Sequence, residues 1–99
     1  MGLPIHIDKE EVAAFCRERH ILKLSLFGSI LTDAFGPESD VDVLVEFDPR
    51  HIPTLLDVVA MQDDLSTLFG RKVDLRTPNG LSRYFRDEVV RNALVQYAA

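Results

Sequence analysis

The clearest pattern in the chain runs from Asp40 to Phe47, where apolar and polar positions alternate. Val41, Val43, Val45 and Phe47 fall on one face; Asp40, Asp42, Leu44 and Glu46 fall on the other. A period of two predicts a strand with its valine face in the core. Ile21 to Phe27 reads as another strand, with Leu22, Leu24 and Leu26 on one side. Lys72 to Arg76 reads as a short third, with Val73 and Leu75 opposite Asp74 and Arg76. Helical periods fill the intervals. Asp8 and Glu11 have the spacing of a capping box, and Val12, Phe15 and Cys16 recur at helical spacing, which predicts a helix over about 9–20. Ser29 is placed to cap a short helix reaching about Phe35, and Gly36-Pro37-Glu38-Ser39 reads as a turn. Residues 54–69 predict a long amphipathic helix with Leu55, Val58, Val59, Leu65 and Leu68 inward and Gly70 as its stop. A last helix is expected from about Leu81 to Tyr97, with Phe85, Val89, Val90, Leu94 and Tyr97 in the core.

Helices and strands therefore alternate, which favours an α/β fold built around a small sheet. The aspartates on the central strand argue against a fully parallel sheet buried on both faces. One face must meet solvent or a ligand. With 99 residues and no linker or repeat, the expectation is a single domain over residues 1–99.

Composition narrows the function classes. Apolar residues make up 46% of the chain, a globular composition, and no run approaches a membrane span. Met1-Gly2-Leu3-Pro4 lacks the basic and apolar regions of a signal peptide, and the single cysteine, Cys16, cannot form an internal disulfide. A cytoplasmic protein with no membrane partner is the expectation. The formal net charge of −5 makes direct nucleic-acid binding a poor first guess. Arg76, Arg83, Arg86 and Arg91 cluster late in the chain and read as a solvated helix face.

The candidate chemistry lies in Gly28-Ser29, the ten residues that follow, and then Asp40-Val41-Asp42. Strand geometry points Asp40 and Asp42 the same way, with Cα atoms roughly 6 to 7 Å apart. Like charges held that close repel unless a cation lies between them. Magnesium suits such a pair, because it takes carboxylate oxygens together with substrate phosphates. Taken alone, an Asp-x-Asp is better explained by a turn cap at Asp40 and a solvated Asp42. The flanking valines pin the strand and fix the direction of both aspartates. Gly28 allows a tight turn and close backbone approach, and Ser29 offers a hydroxyl at the start of the short helix expected there, where phosphate would be favoured. Asp74 follows the same strand logic. Were its strand to neighbour that of Asp40, three carboxylates would converge, suiting a two-metal displacement with Asp74 as general base or bridging ligand.

His6, His20 and His51 have no metal-ligand spacing and no partner set, so zinc is not expected. Cys16 lies on an apolar helix face and reads as core. Ser25 and Ser29 lack the His/Asp arrangement of a nucleophilic serine. No Gly-Lys-Ser/Thr follows the Gly-Ser pair, so it is not a Walker loop.

Leu26-Phe27-Gly28-Ser29, the ten-residue gap and Ser39-Asp40-Val41-Asp42-Val43-Leu44-Val45-Glu46-Phe47 together resemble the signature of the DNA polymerase beta-type nucleotidyltransferases. The small size, Gly70-Arg71-Lys72-Val73-Asp74-Leu75 and the tail from Leu81 to Val89 are similar to the minimal nucleotidyltransferases, commonly the antitoxin halves of HEPN/MNT toxin–antitoxin pairs. The resemblance covers nearly the whole chain. It implies a small mixed β-sheet flanked by helices. Gly28 and Ser29 would hold nucleotide phosphates, and Asp40, Asp42 and Asp74 would be the catalytic carboxylates, binding two magnesium ions. The implied activity is transfer of AMP from ATP to a hydroxyl, a tyrosine by expectation, of a HEPN ribonuclease toxin, which silences it. Many relatives carry a basic residue shortly after the Gly-Ser pair; this chain has Ile30-Leu31-Thr32-Asp33 there, leaving the charge to Arg76 or the partner.

Competing readings are an antitoxin that neutralises the same partner by binding alone, and a nucleotidyltransferase acting on a small molecule or tailing RNA. The last two need an acceptor pocket for which 99 residues leave little room. In either toxin-directed reading, exposed apolar positions on the outer helices would be partner or dimer contacts, giving a hetero-oligomer or homo-oligomer.

Overall fold

The computed structural model describes residues 3–99; the signal-peptide reading falls partly on Met1 and Gly2, outside the described residues. The chain runs α1 (Lys9–Glu18), β1 (Ile21–Phe27), a 3-10 turn (Gly28–Leu31), β2 (Val41–Phe47) and α2 (Leu55–Phe69). It continues through β3 (Val73–Arg76), a second 3-10 turn (Pro78–Gly80), α3 (Arg86–Asn92) and β4 (Leu94–Ala98). The four strands lie in the order β3-β2-β1-β4. β1 is antiparallel to both β2 and β4, whereas β2 and β3 are parallel. This is the expected mixed sheet.

Local chemistry explains the helix ends. Asp8 accepts from the backbone N–H groups of Glu10 and Glu11 and so starts α1. Thr54 and Asp57 form a reciprocal capping box at the start of α2, and Gly70, at φ 68°, closes it in the left-handed region. α1 contributes Val12, Phe15 and Cys16, and α2 contributes Met61, Leu65 and Phe69, to a core shared with Leu24, Leu26, Val41, Val43, Val45, Val73 and Leu75. The valine face of β2 is thus buried as its alternation required. Burial pushes the Cys16 thiol up to about 12, in keeping with a core role.

Four expectations change. The helix expected over 81–97 is instead α3, only Arg86–Asn92, followed by a strand. Apolar residues at 85, 89, 90 and 94 suit a helix, but the outer edge of β1 lacks a hydrogen-bonding partner without β4. That pairing, Leu26 with Leu94 and Lys23 with Ala98, overrides the local period. Phe85, Val90 and Leu94 are exposed rather than core; Tyr97 does pack against it. The helix expected from Ser29 to Phe35 shrinks to the 3-10 turn, in which Ser29 is not the cap. Thr32 stops it by donating its hydroxyl and its N–H to the Ser29 carbonyl, while accepting from Ala34 N–H. In β1 an irregularity after Ile21 turns Leu22 outward and Ile21 inward. In α2 the buried stripe is Met61, Leu65 and Phe69, with Val58 and Leu68 at its margin; Leu55 and Val59 face out.

Candidate active site

Parallel pairing of β2 with β3 sets Asp42 directly beside Asp74, in the same register that pairs Val41 with Val73 and Val43 with Leu75. The hydrophobic neighbours go down into the core, so the two carboxylates stand together on the opposite face. β3 is an edge strand, and α2 fixes it from outside. Ser66 Oγ accepts from Val73 N–H at 2.9 Å and Gln62 Oε1 accepts from Leu75 N–H at 2.9 Å. Asp74 is therefore held between two satisfied backbone groups. Its carboxylate also accepts from Arg76, at 3.1 Å from Nη2.

Asp40 sits one residue before β2, at the end of the turn from Gly36 to Ser39. Two backbone anchors hold it. Val41 N–H donates to the Lys72 carbonyl at 2.8 Å. Arg71 Nη2 donates to the carbonyls of Gly36 and Ser39, both at 2.7 Å, and its guanidinium stacks 4.6 Å from the centre of the Phe35 ring. Lys72 Nζ lies 4.0 Å from Asp40 Oδ2. Sequence reasoning assigned no role to Arg71 or Lys72. The signal was the basic pair between the Gly70 helix stop and the Asp74 strand.

Gly28 comes off the end of β1 beside Asp42, through the Phe27–Asp42 pair. Its φ is +77°, and a Cβ built on it would overlap the Asp42 carboxylate, with Asp42 Cγ only 3.2 Å away. Only glycine leaves this carboxylate its place. Ser29 follows, half-buried, in the 3-10 turn. The helix dipole expected to favour phosphate there is reduced to one short turn.

Crowding shows in the electrostatics. The Asp42 carboxyl is pushed above the usual carboxylate value, first by burial, then by repulsion from Asp74 and Asp40, and Arg76 offsets part of this. Among the described residues, no three acidic, His or Cys side chains close into a ready metal cage. The donor set consists of hard oxygens on neighbouring strands whose negative charge Arg76 and Lys72 relieve only in part. That fits a divalent cation whose remaining ligands come from water and substrate phosphate, the habit of magnesium. Glu46 is exposed further along β2. His20 and His51, which sequence spacing left without partners, stack with ring centres 3.8 Å apart. They lie at the other end of β1 from Gly28.

Residues 9–97 match the family model for the nucleotidyltransferase domain. The chain is 33% identical over 79 residues to the protein adenylyltransferase MntA of Thermococcus cleftensis, covering 79% of this chain and 78% of that one. Its fold matches a toxin–antitoxin complex solved with AMP-PNP, with a TM-score of 0.74, 17% identity and coverage of 94% of this chain and 75% of that one. It also matches a complex of tri-AMPylated Shewanella oneidensis HEPN toxin with MNT antitoxin, with a TM-score of 0.65, 17% identity and coverage of 92% and 70%. The domain match spans nearly every described element, including both aspartate strands and the Gly28 turn, and the chain belongs to the nucleotidyltransferase domain family.

Proposed function

We propose that this chain transfers AMP from ATP to a hydroxyl, a tyrosine by preference, on a HEPN-class toxin and thereby neutralises it. The observation that carries the reading is the registered pairing of Asp42 with Asp74 beside Gly28, with Arg71 holding the turn that leads into Asp40. The MntA relative and the AMPylated toxin in a complex of the same fold support the choice of a protein acceptor.

In this reading Gly28 and Ser29 receive the nucleotide phosphates, and Asp40, Asp42 and Asp74 are the metal-binding and catalytic carboxylates. Magnesium, held there by these carboxylates, would neutralise charge on the triphosphate and acidify the acceptor hydroxyl. The acceptor oxygen forms a bond to the α-phosphorus, and the bond to the bridging oxygen of pyrophosphate breaks. Pyrophosphate departs with that electron pair. Asp74 takes the hydroxyl proton. Arg76, already bonded to Asp74, orients that carboxylate and adds positive charge on the same strand face. This compensates for the apolar Ile30-Leu31 that follow the Gly-Ser pair.

The test is label transfer with magnesium in lysate containing the cognate partner, comparing ATP labelled at the α-phosphate with ATP labelled at the γ-phosphate. An α-labelled protein band, absent with the γ label and absent with Asp42→Asn, is the expected result. Neutralisation retained by Asp42→Asn, with no α-label in any protein band, would overturn transfer in favour of neutralisation by binding alone.

A further inference from the structure

Transfer to a tyrosine needs an accessible hydroxyl, and the chain carries one beside its own site. Of its two tyrosines, Tyr97 packs against the core while Tyr84 is 79% exposed. Tyr84 lies on the crossing that joins β3 to α3, and two ties fix where that crossing runs. At its start Pro78 shares a cleft with Val45 and Glu46 of β2. Arg86 pins the stretch together, donating from Nε to the Pro78 carbonyl at 2.7 Å and from Nη2 to the Leu81 carbonyl at 3.3 Å. At its end Phe85, the residue after Tyr84, walls a cavity of about 630 Å³ that Phe27 and Gly28 also line. The crossing therefore passes from the far end of β2 back to the Gly28 end of β1. α1 and α2 pack on the valine face, yet Ser25 and its partner Leu44, on the aspartate face, are buried as well. The crossing, whose 3-10 turn touches β2, covers that face. Tyr84 thus stands in the wall that ends at Gly28, against which Asp42 lies.

We propose that Tyr84 is a second acceptor of the transfer reaction: without its partner, this chain adenylylates its own Tyr84 hydroxyl. The inference rests on the adenylyl-transfer reading and adds a substrate to it. Tyr84 Oη forms the bond to the α-phosphorus, pyrophosphate departs with the electron pair of the broken bond, and Asp74 takes the phenolic proton. Arg83 equips this tyrosine for the role. Its Nη2 donates to Tyr84 Oη at 3.3 Å, and its guanidinium lies 5.2 Å from the ring centre. The contact keeps the acceptor oxygen beside a permanent positive charge. That charge draws the α-phosphate to the oxygen and then pairs with the phosphodiester that forms. So exposed a ring is held by little packing and changes rotamer freely, which lets the hydroxyl swing toward the carboxylates. Once modified, Tyr84 carries a bulky anion on the rim that the toxin must approach, so self-transfer opposes transfer to the partner.

The experiment incubates the purified chain, alone and with its HEPN-class partner, with magnesium and ATP labelled at the α-phosphate, and locates the label by mass spectrometry of the peptides. Wild type, Tyr84→Phe, Arg83→Ala and Asp42→Asn are compared. Tyr84→Phe and Arg83→Ala alter exposed side chains, so both should fold, which circular dichroism checks. The expected result is AMP on Tyr84 of the chain alone, lost in Tyr84→Phe and in Asp42→Asn. Arg83→Ala should slow it about tenfold, the worth of one charge-assisted hydrogen bond. Tyr84→Phe should still label the partner. Label that persists on the chain in Tyr84→Phe, or that maps to Tyr97, a serine or a threonine, would overturn the assignment. So would a labelled partner beside an unlabelled wild-type chain, an outcome that leaves the transfer reading intact. No label on either protein would instead strike the parent reading, and this assignment with it.

Discussion

Gly28→Ala separates a glycine needed for its backbone from one needed for its neighbour. The new methyl group would meet the Asp42 carboxylate, and the backbone would keep a φ of +77°. The left-handed conformation costs an L-residue about 1–2 kcal/mol. Driving Asp42 from its rotamer adds about 0.5–1.5 kcal/mol. Together these lower stability by about 2–3 kcal/mol. For a domain of this size that corresponds to a fall in melting temperature of about 10–20 °C. The control is Gly70→Ala, where φ is +68° but nothing lies within 4 Å of the added carbon. It carries only the backbone cost, about 1 kcal/mol after the gain from a stiffer unfolded chain. The functional gap should be larger. A carboxylate misplaced by about 1 Å can cost about 10²-fold in rate, so Gly28→Ala should lose α-label transfer about a hundredfold while Gly70→Ala keeps it. Urea unfolding and the label-transfer assay, run side by side, read both quantities. Equal stability and equal activity in the two variants would refute the argument that Asp42 occupies its place only because Gly28 lacks a Cβ.

Two further predictions concern the carboxylates and their support. Because the folded-state value of Asp42 is raised, its proton stabilises the fold. That stability is fully present below about 3.8 and is lost as pH rises through the raised value. Asp42→Asn should therefore abolish transfer yet unfold at higher temperature than wild type near neutral pH, with the gap closing in acid. A melting-temperature series against pH that showed a constant gap would contradict this. Arg71→Ala removes two charge-assisted hydrogen bonds to the turn before Asp40, worth about 1.5–3 kcal/mol each before the carbonyls find water. Stability should fall by about 2–3 kcal/mol, and transfer should fall beyond what the unfolded fraction explains. Arg71→Lys should recover stability better than activity, since an ammonium lacks the planar stack on Phe35. Transfer tracking only the folded fraction in Arg71→Ala would show that the tether does not position Asp40.

Strong local signals carried the sequence reading. The alternation of β2 names its own core face, because a strand can bury only every second side chain, and Val41, Val43 and Val45 are indeed buried. The Asp8 cap, the stop at Gly70 and the spacing from Gly28 to Asp42 are likewise local facts of chain geometry. Asp42 and Asp74 were legible as outward-facing for this reason, each flanked in its strand by apolar residues that enter the core. Where apolar residues were dense, as in Leu55-Leu56-Asp57-Val58-Val59, the sequence offered several stripes, and only packing against the sheet chose the one through Met61, Leu65 and Phe69.

What lay beyond the sequence were the relations between segments far apart in the chain. Nothing near Leu94 announces that it pairs with Leu26; β4 exists because an open edge on β1 gains backbone hydrogen bonds that a longer helix could not supply. That same pairing brings α3 to Gly28 and opens the cavity between them. The parallel register that sets Asp42 beside Asp74 depends on α2 anchoring β3 through Ser66 and Gln62, and Arg71 reaches back across more than thirty residues to hold the turn before Asp40. The sequence by itself determined which side chains must leave the core, through periods of two and of 3.6. The tertiary structure alone decided which of them meet, because meeting is set by strand order and register, and those are settled by non-local hydrogen bonds and packing.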